Sequence, residues 1–501
     1  MKIVQVGGGT TGWLSALGIT KHIPNVDFTI IENDNPISVG EATFPTLKTF
    51  HTLTNINEQE FMRASNSTFK YAVRFDNFHE PGHTYYHSFL KNYRTSYDPW
   101  SHFLEKNKIP NGAHFDIEGM LIGETNKQAG GYAYHLESDR YVDFIKTQIT
   151  TKITHIKDTV SEIKIDENGI KYIKINDQYI FADLFIDCSG FNHVLIKELQ
   201  PNWISIQDSL PNNTAIVHRR KYNNVLEEMC PYTRATGLKN GWMWTIPLWD
   251  KKSHGYVFSD YYTSINNAEI EFRKTLDLKD NDECKIIKFK NGYLDRSWIK
   301  NCVAIGLSSC FIEPLESTGI ALSVNQIERV LTIFDKGYVK QVDKDWFNNT
   351  NIDDTLRIKS FLMNHFIHTI REDSEYWKDW KYNKTFDKND LELYTFIRIG
   401  NLKETKKSTS IFFPNRAFQY VLEMHKASSM DNSFVQKHRL YDPTIAQLDL
   451  PNIDQEKIRE EQILNKLRAD VELAPNHYNF VKKYLEYRGR SSSGRAYPLH
   501  G

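Results

Sequence analysis

The sequence predicts a mixed α/β fold: a Rossmann-like module, an antiparallel sheet beside it and a mostly helical C-terminal region. Three observations predict it. A strand, a glycine-rich turn, a helix and a second strand follow one another up to Glu32. Alternating apolar and polar segments between Val160 and Cys188 read as antiparallel strands. Beyond Pro314, apolar residues recur at helical spacing.

Lys2 to Val6 (KIVQV) reads as a buried strand. Trp13, Leu14, Ala16, Leu17 and Ile19 predict a helix running to about His22, and Asp27 to Glu32 (DFTIIE) closes the unit. VSEIKI, GIKYIKI and YIFADLFIDC, separated by turn-formers such as Asp166-Glu167-Asn168-Gly169, predict an antiparallel meander. Trp242 to Leu248 is strand-like. Ile320, Val324, Ile327, Val330 and Leu331 predict a helix that Gly337 can stop. Residues 454–472 read as a charged amphipathic helix and Asn479 to Tyr487 as another. We therefore expect a core over 1–340 with interleaved substrate-side segments near 60–130 and 200–300. A helical region over 341–487 and a flexible tail over 488–501 follow.

The chain has 501 residues, with 62 Lys+Arg against 63 Asp+Glu and a formal net charge of −1. That balance gives no electrostatic reason to expect nucleic acid or an anionic membrane as partner. Aromatics make up 13% of the residues, and an aromatic-rich interior suits a flat ligand. Five cysteines without a CxxC pair argue against a disulfide scaffold or a cysteine-rich zinc site, so no metal is expected. No apolar run approaches the roughly 20 residues that span a bilayer, and no signal sequence precedes the first strand. The expectation is a cytoplasmic protein, with room left for a homo-oligomer.

Gly7, Gly9 and Gly12, with Thr10 and Thr11 between them, form a GxGxxG turn between strand and helix. Such a turn lets a pyrophosphate approach backbone N–H groups at the helix start, and Glu32 is spaced to take ribose hydroxyls. This says FAD or NAD without choosing. Two later segments favour FAD. Asp183 to Gly190 (DLFIDCSG) resembles the second dinucleotide-contacting strand of GR2-type, monooxygenase-like FAD folds. Cys302 to Gly306, then Pro314 and a helix, resembles the place where those folds meet the flavin. Aromatic hydroxylases of that class carry an Asp after the glycine; here it is Leu307.

Four further blocks occur in order: Val39-Gly40-Glu41-Ala42-Thr43, Trp242-Met243-Trp244-Thr245-Ile246-Pro247, Pro314-Leu315-Glu316-Ser317-Thr318-Gly319-Ile320, and Arg371-Glu372-Asp373 with Trp377. Together they resemble the flavin-dependent tryptophan halogenase family, over about three quarters of the chain. The resemblance implies FAD, used as FADH2, together with O2, a chloride, bromide or iodide ion and a separate NAD(P)H-dependent flavin reductase. Gly40 to Thr43, Gly306, Pro314 and Ile320 would contact the cofactor. Thr318 and Gly319, at a helix mouth whose free N–H groups suit an anion, would hold halide. The resemblance further implies that halide attacks a flavin hydroperoxide and that hypohalous acid then travels through a tunnel to Lys70. Lys70 would hydrogen-bond that acid or carry the halogen as a haloamine.

In Phe69-Lys70-Tyr71-Ala72-Val73-Arg74-Phe75 the apolar residues 69, 71, 73 and 75 share one face. Lys70 therefore lies on the other, where a lysine ordinarily meets solvent. Glu316 beside an anion site is costly unless paired or protonated. By resemblance it stabilises positive charge on the ring or takes the proton that restores aromaticity. Ser317 supports that turn, or caps the helix. His87 and Phe89 would line the substrate pocket. Trp242 and Trp244, two apart on a strand and followed by Ile246 and Pro247, would form a wall between flavin and substrate. The adjacent tyrosines, Glu and Trp with which tryptophan-specific members clamp the amino acid are not found in residues 403–429. Simple indoles or other small electron-rich aromatics are then the expected substrates. The alternatives are a flavin monooxygenase on the same scaffold and a catalytically silent flavoprotein.

Overall fold

The computed structural model describes residues 1–33, 40–89, 132–384, 386–398, 410–414, 417–418, 421–422 and 477–486. The expected helix over 454–472, the tail from 488 and most of 403–429 lie outside the described residues.

A six-stranded sheet forms the first layer, in the order Trp298–Ile299, Cys302–Ala304, Leu184–Asp187, Lys2–Val6, Asp27–Glu32, Thr154–Lys157. Every pairing in it is parallel except that of Trp298–Ile299. Val4 and Ile30 are fully buried, as strands covered on both faces require. The helix Thr10–His22 packs against Gly319–Phe334, which sets the glycine turn and the Pro314–Gly319 segment, distant in sequence, on one pair of packed helices. Gly337, at φ +76, lies just past the end of that second helix.

The meander is split. Glu162–Asp166, Gly169–Ile175 and Gln178–Ile180 pair antiparallel as expected. Leu184–Asp187, which alternation assigned to the meander and resemblance to a dinucleotide-contacting strand, leaves the meander and runs parallel to Lys2–Val6 in the core sheet. Its four residues are all buried, so the alternation that marks a half-exposed strand is lost there.

A seven-stranded sheet makes the second layer, with Thr214–Lys221, Lys251–Phe258, Gly241–Pro247 and Tyr232–Leu238 central. Ala72–Asp76 pairs parallel with Tyr232–Leu238, and Thr84–Ser88 closes the edge. A small three-stranded sheet then sets Gly40–Ala42 and Thr68–Lys70 on either side of Ala133–Glu137. This sheet brings two distant sequence blocks to one place. Gln341–Phe366, a helix of 26 residues, backs the second layer. Among the described residues no helix is long and apolar enough to cross a membrane.

Candidate active site

The glycine turn has the geometry its sequence implies. Gly7 adopts φ +112, and a Cβ there would meet Cys188 O at 2.1 Å, so only glycine fits. At Gly9, which precedes the helix Thr10–His22, a Cβ would meet nothing within 4 Å. Backbone there is open to a ligand, at the end of the helix where N–H groups are free. Glu32 ends the second strand. Its Oε2 accepts from Trp13 Nε1 at 3.0 Å, and its Oε1 lies 2.8 Å from His155 Nε2. Thr11 Oγ1 lies 2.9 Å from Ser323 Oγ, and Gly306 N donates to Gln326 Oε1 at 2.7 Å, so Thr11 and Gly306 both lean on the second helix.

The second centre forms where the small sheet meets the Pro314–Gly319 turn. Lys70 is on the face opposite Phe69 and Tyr71, as its alternation requires, but that face is not solvent: Lys70 is 0% exposed. The strand breaks at Tyr71, and Thr43 and Ser317 cover the ammonium. Lys70 Nζ donates to Thr43 O at 3.0 Å and to Ser317 Oγ at 2.8 Å, and sits 5.0 Å from the Phe89 ring centroid. Burial pushes its pKa down to about 7, against a weaker opposing pull from Glu316.

Ser317 does not cap the helix. It holds φ +61, a left-handed conformation uncommon for a residue with a Cβ, and its hydroxyl is turned to Lys70. Thr318, the residue before Gly319–Phe334, makes no side-chain cap either, and its buried Oγ1 has no hydrogen-bond partner. A Cβ at Gly319 would meet nothing within 4 Å. The helix mouth therefore offers a spare hydroxyl, free N–H groups and room, which is a donor set for an anion.

Glu316 is fully buried, and its carboxylate is paired. His87 Nδ1 lies 3.0 Å from both carboxylate oxygens. His365 Nε2 is 2.9 Å from Oε1, though off the line of a good hydrogen bond, while its Nδ1 meets Tyr85 OH at 2.8 Å. Burial alone would raise the carboxyl. The two imidazoles overcome it and hold Glu316 at about 2, ionised. His365 itself is pushed down by burial, which favours a neutral ring between Tyr85 and Glu316.

Aromatic rings surround the pair. Phe44 meets Phe89, Phe412 and Phe413 at centroid distances of 5.4, 5.8 and 5.7 Å. Phe413 stacks on Phe361 at 3.9 Å, and His87 packs on Phe361 at 5.1 Å. Trp242 and Trp244 are both buried, 6.2 Å apart, and Ile246 joins the same core. Pro247 O accepts from Thr68 Oγ1 at 2.7 Å, so the WxWxIP strand is tied two residues from Lys70. Glu41 is half-covered, with burial raising its carboxyl to about 7 against a weaker pull from Arg219.

Comparison with known proteins is decisive about kinship. A family model described as tryptophan halogenase matches residues 2–436. The chain belongs to the tryptophan halogenase family. Tryptophan 6-halogenase SttH of Streptomyces toxytricini is 33% identical over 421 residues, 76% of this chain and 80% of that one. Tryptophan 7-halogenase RebH of Lentzea aerocolonigenes is 32% identical over 417 residues, 75% and 78% of the two chains. The SttH crystal structure superimposes with a TM-score of 0.82 at 28% identity, covering 96% of this chain and 99% of that one. A flavin-dependent halogenase from Xanthomonas campestris, Xcc4156, gives 0.81 at 26%, covering 96% and 98%. The 6- and 7-halogenases are equally similar, so kinship carries no ring position to this halogenase-family chain.

A flavin dinucleotide, which the fold implies, fits the residues present. Gly9 leaves its phosphate approach open, and Thr318 Oγ1 and Gly319 leave open the helix mouth. The structure brings Lys70, Glu316, Ser317, His87 and Phe89 to one enclosed site. The glycine turn and Glu32 form a separate cluster, joined through Trp13 and His155. Sequence reasoning missed Phe44, Phe361, Phe412, Phe413, His365 and Tyr85. The adjacent phenylalanines of IFFPNR were the available signal, since a paired aromatic in an otherwise polar stretch asks for a partner surface.

Proposed function

We propose that the protein is an FADH2-dependent halogenase that substitutes an electron-rich aromatic such as an indole, with Lys70 and Glu316 as its catalytic residues. The observation that carries this reading is the enclosure of Lys70 and Glu316 on either side of Ser317, beside a cluster of phenylalanines.

Residues of the glycine turn, Glu32, Gly40 to Thr43, Gly306, Pro314 and Ile320 would hold the cofactor. When bound, reduced FAD with O2 supplies the two-electron oxidation of halide to hypohalous acid. The chain's own work is separation, positioning and charge. Thr318 and Gly319 hold the halide at the helix mouth. The tryptophans of WxWxIP keep the aromatic substrate away from the oxidant, and hypohalous acid passes through the interior to Lys70. There the Nζ–H groups can hydrogen-bond the acid, or the neutral amine can take the halogen. The ring attacks the halogen, and a carbon–halogen bond forms as the halogen–oxygen bond breaks. The leaving hydroxide takes a proton from the Lys70 ammonium to depart as water, and the proton later accepted by Glu316 balances that loss. Glu316 faces the ring cation and accepts the proton that leaves the substituted carbon. Phe44, Phe89, Phe412 and Phe413 offer flat apolar walls, which suit an indole without an amino-acid group.

The test is mass spectrometry of products formed with FAD, a separate flavin reductase, NADH, O2 and bromide over indoles and phenols. Wild type should give a halogen isotope pattern that Lys70→Ala and Glu316→Ala lose. A product gaining only oxygen would make the protein a monooxygenase. Halogenation surviving in both variants would sink the site assignment.

A further inference from the structure

Behind the catalytic turn lies a second buried carboxyl that the scheme above does not use. Glu313 is fully buried at the start of the segment that becomes Pro314–Glu316. Its backbone N donates to Asn291 Oδ1 at 2.8 Å, and Asn291 Nδ2 in turn donates to Leu210 O and Asn212 O. Asn212 Nδ2 donates to Glu313 Oε2 at 2.7 Å and reaches Tyr376 OH at 3.2 Å. The remaining halves of both groups are anomalous. Glu313 Oε1 and Asn212 Oδ1 are each buried without a donor, on side chains already joined through their other atoms. Two buried acceptors without a donor, on side chains bonded to each other, are costly in an apolar interior. One proton on Glu313 removes the conflict, because carboxylic acid and primary amide then match donor to acceptor on both sides.

We propose that Glu313 works as a neutral acid paired with the Asn212 amide, and that its ionisation weakens halide retention at the adjoining turn. The inference rests on the halide reading of Thr318–Gly319 given above. Glu316 is already ionised on this turn, and a second negative charge behind it would oppose an incoming anion. The groups facing Glu313 do little to compensate. Lys384 is the nearby cation, itself held down at about 8 by burial and shared with Asp208 and Asp379. Tyr376 is kept neutral by burial, and Trp242 Nε1–H lies near the carboxyl without a well-directed bond. Burial raises Glu313 to about 7, consistent with an acid that is protonated below that pH.

The experiment measures the KM for bromide from pH 6 to 9 in wild type and in Glu313→Gln, which keeps the shape and cannot ionise. The wild-type KM should climb above about pH 7 several-fold more steeply than that of the variant. Lys70 also titrates near there but does so in both proteins, so the difference isolates Glu313. A second readout needs neither cofactor nor turnover. The infrared difference between wild type and variant should show a protonated carboxyl band that fades as pH passes about 7. Superimposable KM profiles, or no such band at pH 6, would overturn the proposal. If wild type makes no halogenated product, the proposed function fails, while the infrared result still judges the state of Glu313.

Discussion

Replacing Lys70 by methionine should abolish halogenation and yet stabilise the protein. The side chain is fully buried and its pKa falls from 10.5 to about 7, chiefly through burial. At about 1.4 kcal/mol per pH unit, that displacement is a penalty of ~5 kcal/mol below pH 7, where folded and unfolded chains both carry the proton. Between about 7 and 10.5 the unfolded chain binds more protons than the folded one, so wild-type stability rises with pH and the penalty shrinks. By pH 9 it is ~2 kcal/mol on the same arithmetic. Methionine is close in length and uncharged, but forfeits the bonds to Thr43 O and Ser317 Oγ, ~1 kcal/mol each. The variant should therefore be more stable by ~3 kcal/mol at pH 6 and about level at pH 9, a shift of several degrees in Tm at the lower pH. Calorimetric melts of both proteins at a series of pH values give the difference directly, with other titrations cancelling. A variant that is less stable at pH 6, or a gap that does not close with pH, would refute the reasoning.

Glu316→Gln should lower halogenation by ~100-fold or more, the scale of a lost general base, while FAD affinity measured by fluorescence quenching stays within about twofold. Gly319→Ala should melt with wild type, because its Cβ meets nothing within 4 Å, yet raise the halide KM roughly tenfold by filling the helix mouth. Phe413→Ala removes the ring stacked on Phe361 and should cost ~3 kcal/mol in denaturant unfolding, with a higher KM for indole. The pH–rate profile separates the two roles open to Lys70. Carriage of halogen on the amine requires rates that rise through about pH 7, and hydrogen bonding by the ammonium requires rates that fall.

The parts of the fold legible in the sequence are those whose signal is local. The strand, glycine turn and helix at the N-terminus were readable because a tight turn and a helix start depend on neighbours in sequence. The place of Leu184–Asp187 in the core sheet came through by resemblance to a dinucleotide-contacting strand and not by periodicity, since its partner is Lys2–Val6, and only burial on both faces distinguishes it from the meander. Lys70 shows the same limit at the site. Alternation put it opposite Phe69 correctly, but what covers that face comes from Thr43 and Ser317, 27 and 247 residues away. Glu316 announced itself as a charge needing partners. That His87 and His365 are those partners required the fold, because they come from an edge strand and a long helix. Phe412 and Phe413 were visible as residues and illegible as walls.

The charge states of the site follow from how differently its two buried ionisable groups are compensated. Glu316 has two imidazoles against it and stays ionised across the physiological range. Lys70 touches a carbonyl, a hydroxyl and a ring face, none of which carries a full charge, and the pull of Glu316 is weaker than the effect of burial, so it sits near the point where it holds or sheds a proton. An ammonium offsets the negative charge of Glu316 and, in the proposed cycle, would hydrogen-bond hypohalous acid at its oxygen. A neutral amine is the form able to form a bond to halogen. The left-handed Ser317 links the two, since its hydroxyl can accept from the ammonium or donate to the amine without moving. Strain stored at that residue therefore has a use: it keeps one adaptable hydrogen-bonding group between a fixed charge and a variable one.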